Sequence, residues 1–236
     1  MALTTLAVIT GASRGIGAAL ARHCVAQGMH VAMLARTAAA LDVLAVELGP
    51  TAVAFPCDLT SAAAVGQAAA GIIARFGRAP DLLVNNAGLF LLAPVESMAP
   101  ADFSAVIQTN LVAPFLLTHA FLPAMRARGT GTIVTLGSIA DRAVFPENGA
   151  YAASKYGLRA LHETMRQELR GSGVRTALVS PGPVDTPLWD PVDPDTRPGF
   201  TPRSAMLSAV DVAHVIALVM ACPPHVNIDE LRVSRS

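Results

Sequence analysis

Thr10-Gly11-Ala12-Ser13-Arg14-Gly15-Ile16-Gly17 follows an apolar, β-branched run, Leu6–Thr10, and leads into a helical pattern over Ile16–Ala26. A strand that turns through glycines into a helix can bring its backbone against a phosphate. Glycine permits the sharp turn and the close approach, while the helix start presents free N–H groups and the positive end of its dipole. A glycine-rich turn alone is a weak signal. Its position after the first strand of an alternating pattern is what makes it informative.

That alternation runs through the chain. Leu6–Thr10, Val31–Ala35, Ala52–Pro56, Leu82–Asn85, Thr132–Leu136, Arg175–Ser180 and Asn227–Val233 read as strands. Helical patterns fall between them near Ile16–Ala26, Ala38–Leu48, Ala62–Phe76, Ala101–Arg126, Ala152–Arg170 and Ala209–Ala221. The pattern predicts an α/β, Rossmann-type doubly wound parallel β-sheet of about seven strands with helices on both faces. Residues 1–236 read as a single dinucleotide-binding and catalytic domain. The rhythm breaks at Pro187–Pro202, where five prolines accompany Trp189 and Phe200. A loop with such apolar anchors, about residues 186–205, is expected to cover a substrate rather than to be disordered.

Composition narrows the function classes. Lys+Arg and Asp+Glu both count 17, so the chain lacks the basic surplus of a nucleic-acid binder. With 53% hydrophobic and 14% charged residues, it can fill a large core. Cys24, Cys57 and Cys222 lie far apart and show no metal-ligand spacing, nor do the scattered histidines, so no metal site is expected. Without a secretory leader or an uncharged apolar run of membrane-spanning length, a soluble cytoplasmic protein is expected, with no membrane partner.

Ligands in open α/β sheets lie at the carboxyl ends of strands, and the polar residues of this chain gather there. The second strand ends in Ala35-Arg36, where a fold choosing NAD usually carries an acid. An arginine there, with Arg14 in the phosphate turn, favours a 2′-phosphate and hence NADP. After the third strand, Asp58 in Cys57-Asp58-Leu59 is placed either to accept from an adenine amino group or to cap the next helix. After the fourth, Asn85-Asn86-Ala87-Gly88 offers small residues for a flat nucleoside and an amide to bridge strand ends. Gly137-Ser138-Ile139-Ala140 follows the fifth strand, and Pro181-Gly182-Pro183-Val184-Asp185-Thr186 the sixth, where Thr186 could meet a nicotinamide carboxamide. Asn110 stands oddly inside a helical pattern, a poor interior choice. Tyr151-Ala-Ala-Ser-Lys155 puts a phenol and an ammonium on one helix face. A nearby cation lowers a tyrosine pKa by roughly 1–3 units, making an acid–base group for neutral pH.

These motifs, in this order, resemble the short-chain dehydrogenase/reductase family over essentially the whole chain. The resemblance implies a catalytic group of Asn110, Ser138, Tyr151 and Lys155. Tyr151 would exchange a proton with the carbonyl or alcohol oxygen, and Ser138 would hydrogen-bond that oxygen. Lys155 would hold the nicotinamide ribose and lower the Tyr151 pKa, and Asn110 would place a water that relays protons to Lys155. It implies an NADP (NADPH) site from Thr10, Gly11, Ser13, Arg14, Gly15, Ile16, Gly17, Arg36, Asp58, Leu59, Asn86, Ala87, Gly88, Tyr151, Lys155, Pro181, Gly182, Val184 and Thr186. The substrate, a small ketone or aldehyde and its alcohol, is expected against Ser138, Ala140, Val144, Phe145, Tyr151 and Trp189, with Arg142 the nearby cation for a carboxylate. A dehydrogenase of small 3-hydroxy acids and a catalytically silent NADP-binding sensor are the alternatives. A homotetramer, or a dimer, paired through the helices near Ala101–Arg126 and Ala152–Arg170, is also implied.

Overall fold

In a computed structural model that describes residues 4–236, seven parallel strands form one sheet. They are β1 (Leu6–Thr10), β2 (His30–Ala35), β3 (Ala52–Pro56), β4 (Leu82–Asn85), β5 (Gly131–Leu136), β6 (Val174–Pro181) and β9 (Glu230–Val233). Their order is β3-β2-β1-β4-β5-β6-β9. The order reverses between β1 and β4, so a crevice opens beyond their carboxyl ends. β1 shows why the strands read as unbroken apolar runs: Ala7 and Ile9 enter the core on one face, Leu6 and Val8 the core on the other.

The first core is closed by α1 (Gly15–Ala26), α2 (Ala38–Leu48) and α7 (Ala209–Ala221), the second by α3 (Ala62–Phe76), α5 (Ala113–Arg128) and α6 (Gly149–Glu168). Local chemistry sets the ends. Ser61 caps α3 by accepting from the Ala64 N–H at 3.2 Å, and α5 stops at Gly129, whose φ of 70° few other residues adopt.

Three features depart from the sequence pattern. The helix expected over Ala101–Arg126 is α4 (Pro100–Ile107) and α5 joined by a π-helical turn, Gln108–Val112. Pro114 has no N–H, so it cannot give the Asn110 carbonyl its α-helical bond, and the ladder widens at that point. The combined helix, Pro100–Arg128, is long and apolar enough to cross a membrane, which corrects the expectation that no such run exists. In the fold it flanks the sheet, with Leu117, Phe121 and Met125 fully buried. The last strand begins at Glu230 rather than Asn227, because the Asn227 side chain bonds the backbone N–H and C=O of Thr176, each at 3.0 Å, in place of a strand. A short parallel pair, β7 (Val184–Asp185) with β8 (Leu207–Ser208), closes the base of the loop expected to cover substrate. Within that loop, Arg203 binds Asp185 and Asp190 by its guanidinium, at 2.8 and 2.7 Å, and Asp195 by its backbone N–H.

Candidate active site

At the carboxyl ends of the strands lies a cleft of about 1310 Å³. The phosphate turn forms one end. Its glycines are required by space: a Cβ on Gly17 would meet the Gly11 carbonyl oxygen at 2.3 Å, and one on Gly11 would meet the Ala87 Cα at 2.9 Å. Gly11 and Gly15 also take positive φ, 64° and 56°. Thr10 and Gly17 stand behind the cleft rather than in it. The Thr10 hydroxyl accepts from the N–H groups of Asn86 and Ala87 at 2.9 and 3.0 Å and donates to the Val84 carbonyl. The Asn86 amide donates to the Thr10 carbonyl at 2.8 Å, so β1 and β4 are tied where the crevice opens.

Gly11, Ser13, Arg14, Gly15 and Ile16 line the cleft, as do Arg36, Asp58, Leu59, Asn86, Ala87 and Gly88. Ala35 lines the same wall as Arg14 and Arg36. Asp58 is not a helix cap, since Ser61 fills that position. One of its oxygens accepts from the N–H and hydroxyl of Thr60 at 3.0 and 2.7 Å, and these bonds hold its carboxyl below the usual range, with Arg36 adding a smaller pull. At the far end Pro181, Gly182, Val184 and Thr186 line the same wall.

Between these ends Ser138, Tyr151 and Lys155 meet. Ser138 caps a 3₁₀ turn, Ile139–Asp141: its hydroxyl oxygen accepts from the Ala140 N–H at 3.2 Å, and its own N–H donates to Asp141 at 3.3 Å. With an oxygen lone pair taken by Ala140, the hydroxyl keeps its proton to donate, and Tyr151 is within its hydrogen-bonding reach. Lys155 donates from Nζ to the Leu136 carbonyl at 2.8 Å and lies 5.5 Å from the Tyr151 ring centre. Burial dominates both groups. Tyr151 is pushed up to about 12, with the Ser138 hydroxyl pulling the other way, and Lys155 is pushed down to about 8. The expected lowering of the tyrosine by its lysine is thus absent here, because desolvation of the phenolate outweighs it.

Asn110 is fully buried and does not line the cleft. Its side chain accepts from the Leu89 N–H at 2.7 Å and donates to the Leu89 carbonyl and the Ser154 hydroxyl at 2.9 and 3.0 Å. Both N–H donors of that amide are thus spent within the protein. Behind Ser138, Asp141 has no exposed side-chain surface and accepts from the Ser180 hydroxyl and from Arg142 Nε, the latter at 2.7 Å. Gly137 makes room for it: a Cβ there would lie 2.5 Å from both the Asp141 carboxylate and the Ser180 hydroxyl. Arg142 also pairs with Glu230 of β9, so it is a structural cation outside the cleft and not a free carboxylate anchor.

Of the expected substrate contacts, Ala140, Phe145 and Trp189 line the cleft, whereas Val144 is 74% exposed and turned away. Phe90, Glu147 and Arg197 also line it. Phe90 follows Gly88 by two residues at a strand end, the same positional signal that marked Asn86. Nothing local in the sequence marks Arg197.

A profile of the short chain dehydrogenase family matches residues 5–197. D-threitol dehydrogenase of Mycolicibacterium smegmatis is 37% identical over 192 residues, covering 78% of this chain and 74% of its own. Among solved structures, a metagenomic short-chain oxidoreductase in complex with NADP superimposes with a TM-score of 0.85 at 36% identity, over 100% of this chain and 99% of the other. The 3-ketoacyl-(acyl-carrier-protein) reductase of Brucella melitensis, complexed with NADH, gives 0.87 at 25% identity over 99% and 98%. From the phosphate turn of β1 to the Ser138, Tyr151 and Lys155 cluster, the chain is an oxidoreductase that belongs to the short-chain dehydrogenase family.

Proposed function

We propose that this protein is an NADP(H)-dependent carbonyl reductase, interconverting a small ketone or aldehyde and its alcohol with Tyr151 as proton donor and acceptor. The observation that carries the reading is the meeting of a half-buried phenol, a buried ammonium and a serine hydroxyl that hydrogen-bonds the phenol, all in one cleft with a glycine cradle. When bound, the cofactor supplies the hydride. The cradle fits such a group, since Gly11 and Gly15 line the cleft without side chains and at positive φ, and Gly17 packs so closely behind Gly11 that the turn keeps its shape. Gly11, Ser13, Arg14, Gly15 and Ile16 would hold its phosphates, Asp58 and Leu59 its adenine, and Asn86, Ala87 and Gly88 the adjoining nucleoside. Lys155 would hold the second ribose, and Pro181, Gly182, Val184 and Thr186 the nicotinamide.

In reduction, Ser138 donates a hydrogen bond to the substrate oxygen and Tyr151 gives it a proton. A phenol pushed up to about 12 keeps that proton throughout the neutral range. Lys155, at about 8, is the group that limits the rate in alkali: above that pH its charge is lost, and the reduction rate falls. The water relay passes to the Asn110 backbone carbonyl, which Pro114 leaves without an α-helical donor, because the side chain is engaged elsewhere.

Tyr151→Phe tests the chemistry. It should retain NADPH binding, followed by nucleotide fluorescence, and lose turnover by about three orders of magnitude or more. Near-normal reduction by the variant would overturn the mechanism.

NADP is favoured by Ala35, Arg14 and Arg36, and is the ligand of the metagenomic neighbour. An arginine–phosphate bond contributes roughly 1.5–3 kcal/mol, so two give a preference on the order of a hundredfold or more. Ala35→Asp with Arg36→Ile should move kcat/KM toward NADH, mainly by raising the NADPH KM. An NADH preference in the unmodified protein would sink the assignment. The exposed aromatic side chains of α4, α5 and α6 support a homotetramer, and the segment over residues 186–205 serves as the cover of the substrate end.

A further inference from the structure

The substrate end of the cleft is walled by aromatic rings in contact with one another. Phe90, 7% exposed, meets the Tyr151 ring edge to face, with centres 4.9 Å apart and planes at 80°. It meets Trp189 in the same way at 5.0 Å and 65°. Trp189 meets Phe200 at 6.2 Å and 79°, and the Arg197 guanidinium lies 5.0 Å over the Phe200 ring. Three separate segments build this row: the loop after β4, the start of α6, and the cover loop. Its inner end is the proposed proton donor itself.

The charges at this end are already matched. Arg197 is paired with Glu147, which keeps the pair while its backbone holds a φ of 63°. Arg142 is committed to Asp141 and Glu230 outside the cleft. A substrate carboxylate would have to compete with Glu147 for Arg197, and because both partners are about a third exposed the competition weakens anion binding modestly rather than forbidding it. Ile139, Ala140 and Phe145 add apolar surface on the facing side. An uncharged substrate meets no such competition.

We propose that the site selects uncharged carbonyl compounds carrying an aromatic ring next to the carbonyl, and that Phe90 is the residue that reads the ring. The inference rests on the reductase reading and narrows its substrate class. Aromatic rings attract edge to face because the ring perimeter is positive and the face negative, an attraction that a saturated ring cannot reproduce. One such added contact is worth about two- to tenfold in affinity beyond the area buried.

The test compares acetophenone with cyclohexyl methyl ketone, which has the same number of heavy atoms, and with acetoacetate as an anionic ketone, in the NADPH-loaded enzyme. A parallel binding series uses benzamide against cyclohexanecarboxamide, carbonyl compounds of matched size that are not reduced, read as the rise in Tm. Acetophenone should exceed the cyclohexyl ketone in kcat/KM by about fivefold, benzamide should give the larger Tm shift, and acetoacetate should be the poorest substrate. Phe90→Leu should bring the two neutral ketones within about twofold while leaving the NADPH KM unchanged. Equal treatment of aryl and cycloalkyl probes in both series, or a preference for acetoacetate, would overturn the inference while leaving the reductase reading intact. Selective benzamide binding with no ketone reduced would uphold the aryl site and overturn the reductase reading instead.

Discussion

Asp141 is a carboxylate without solvent, set directly behind the serine that faces the substrate. Its charge raises the proton affinity of both Tyr151 and Lys155, against burial in the case of the lysine. Asp141→Asn keeps an oxygen for the Ser138 N–H and removes the charge. The alkaline limb of kcat/KM should then move to lower pH by up to about one unit, whereas a purely structural role would lower the plateau without moving it. His162 acts on stability alone. It is 2% exposed, its Nδ1 lies 3.2 Å from the Thr135 hydroxyl, and burial pushes it down to about 4. The unfolded chain takes up the proton near pH 6.5 and the folded one only near 4, so stability is lost as pH falls through that window, by about 3 kcal/mol in all. His162→Gln should show a smaller drop in Tm between neutral pH and pH 4, and an equal drop would remove the histidine from the account.

The π-helical turn is the element on which the loop after β4 hangs. Removing the Asn110 amide strands the Leu89 N–H and C=O and takes one donor from the Ser154 hydroxyl, which keeps its bond to the Tyr151 carbonyl, so Asn110→Ala should cost about 2–4 kcal/mol. Urea unfolding should show this as a lower midpoint with an unchanged m-value. The sequence marks Asn110 as out of place, and the reason was present four residues on: Pro114 withholds an N–H, a signal of backbone chemistry rather than of periodicity. The long strands were legible because both faces are apolar and the runs are bounded by turns. The β7–β8 pair was not, since two residues carry no period. Arg142 was misread for another reason. A sequence shows a charge but not its partners, and Glu230 lies 88 positions further along the chain.

For the whole molecule, Phe103, Phe115 and Tyr156 are 42–48% exposed, on α4, α5 and α6. These helices lie on one side of the sheet. A tetramer burying that surface should appear in light scattering as four chains of 24.3 kDa at micromolar concentration, and Phe115→Glu with Tyr156→Glu should dissociate it. A monomer in the unmodified protein would end the proposal.

The pairing of Arg142 with Glu230 also ties the serine loop to the rim of the sheet. Glu230 belongs to β9, the edge strand beside β6, and it shares Arg142 with Asp141, whose carboxylate sits behind Ser138. An edge strand is paired on one side alone and opens more readily than a central one. Fraying of β9 should therefore slacken the serine loop, and hydrogen exchange at the Ser138 and Ala140 amides should rise together with exchange in β9.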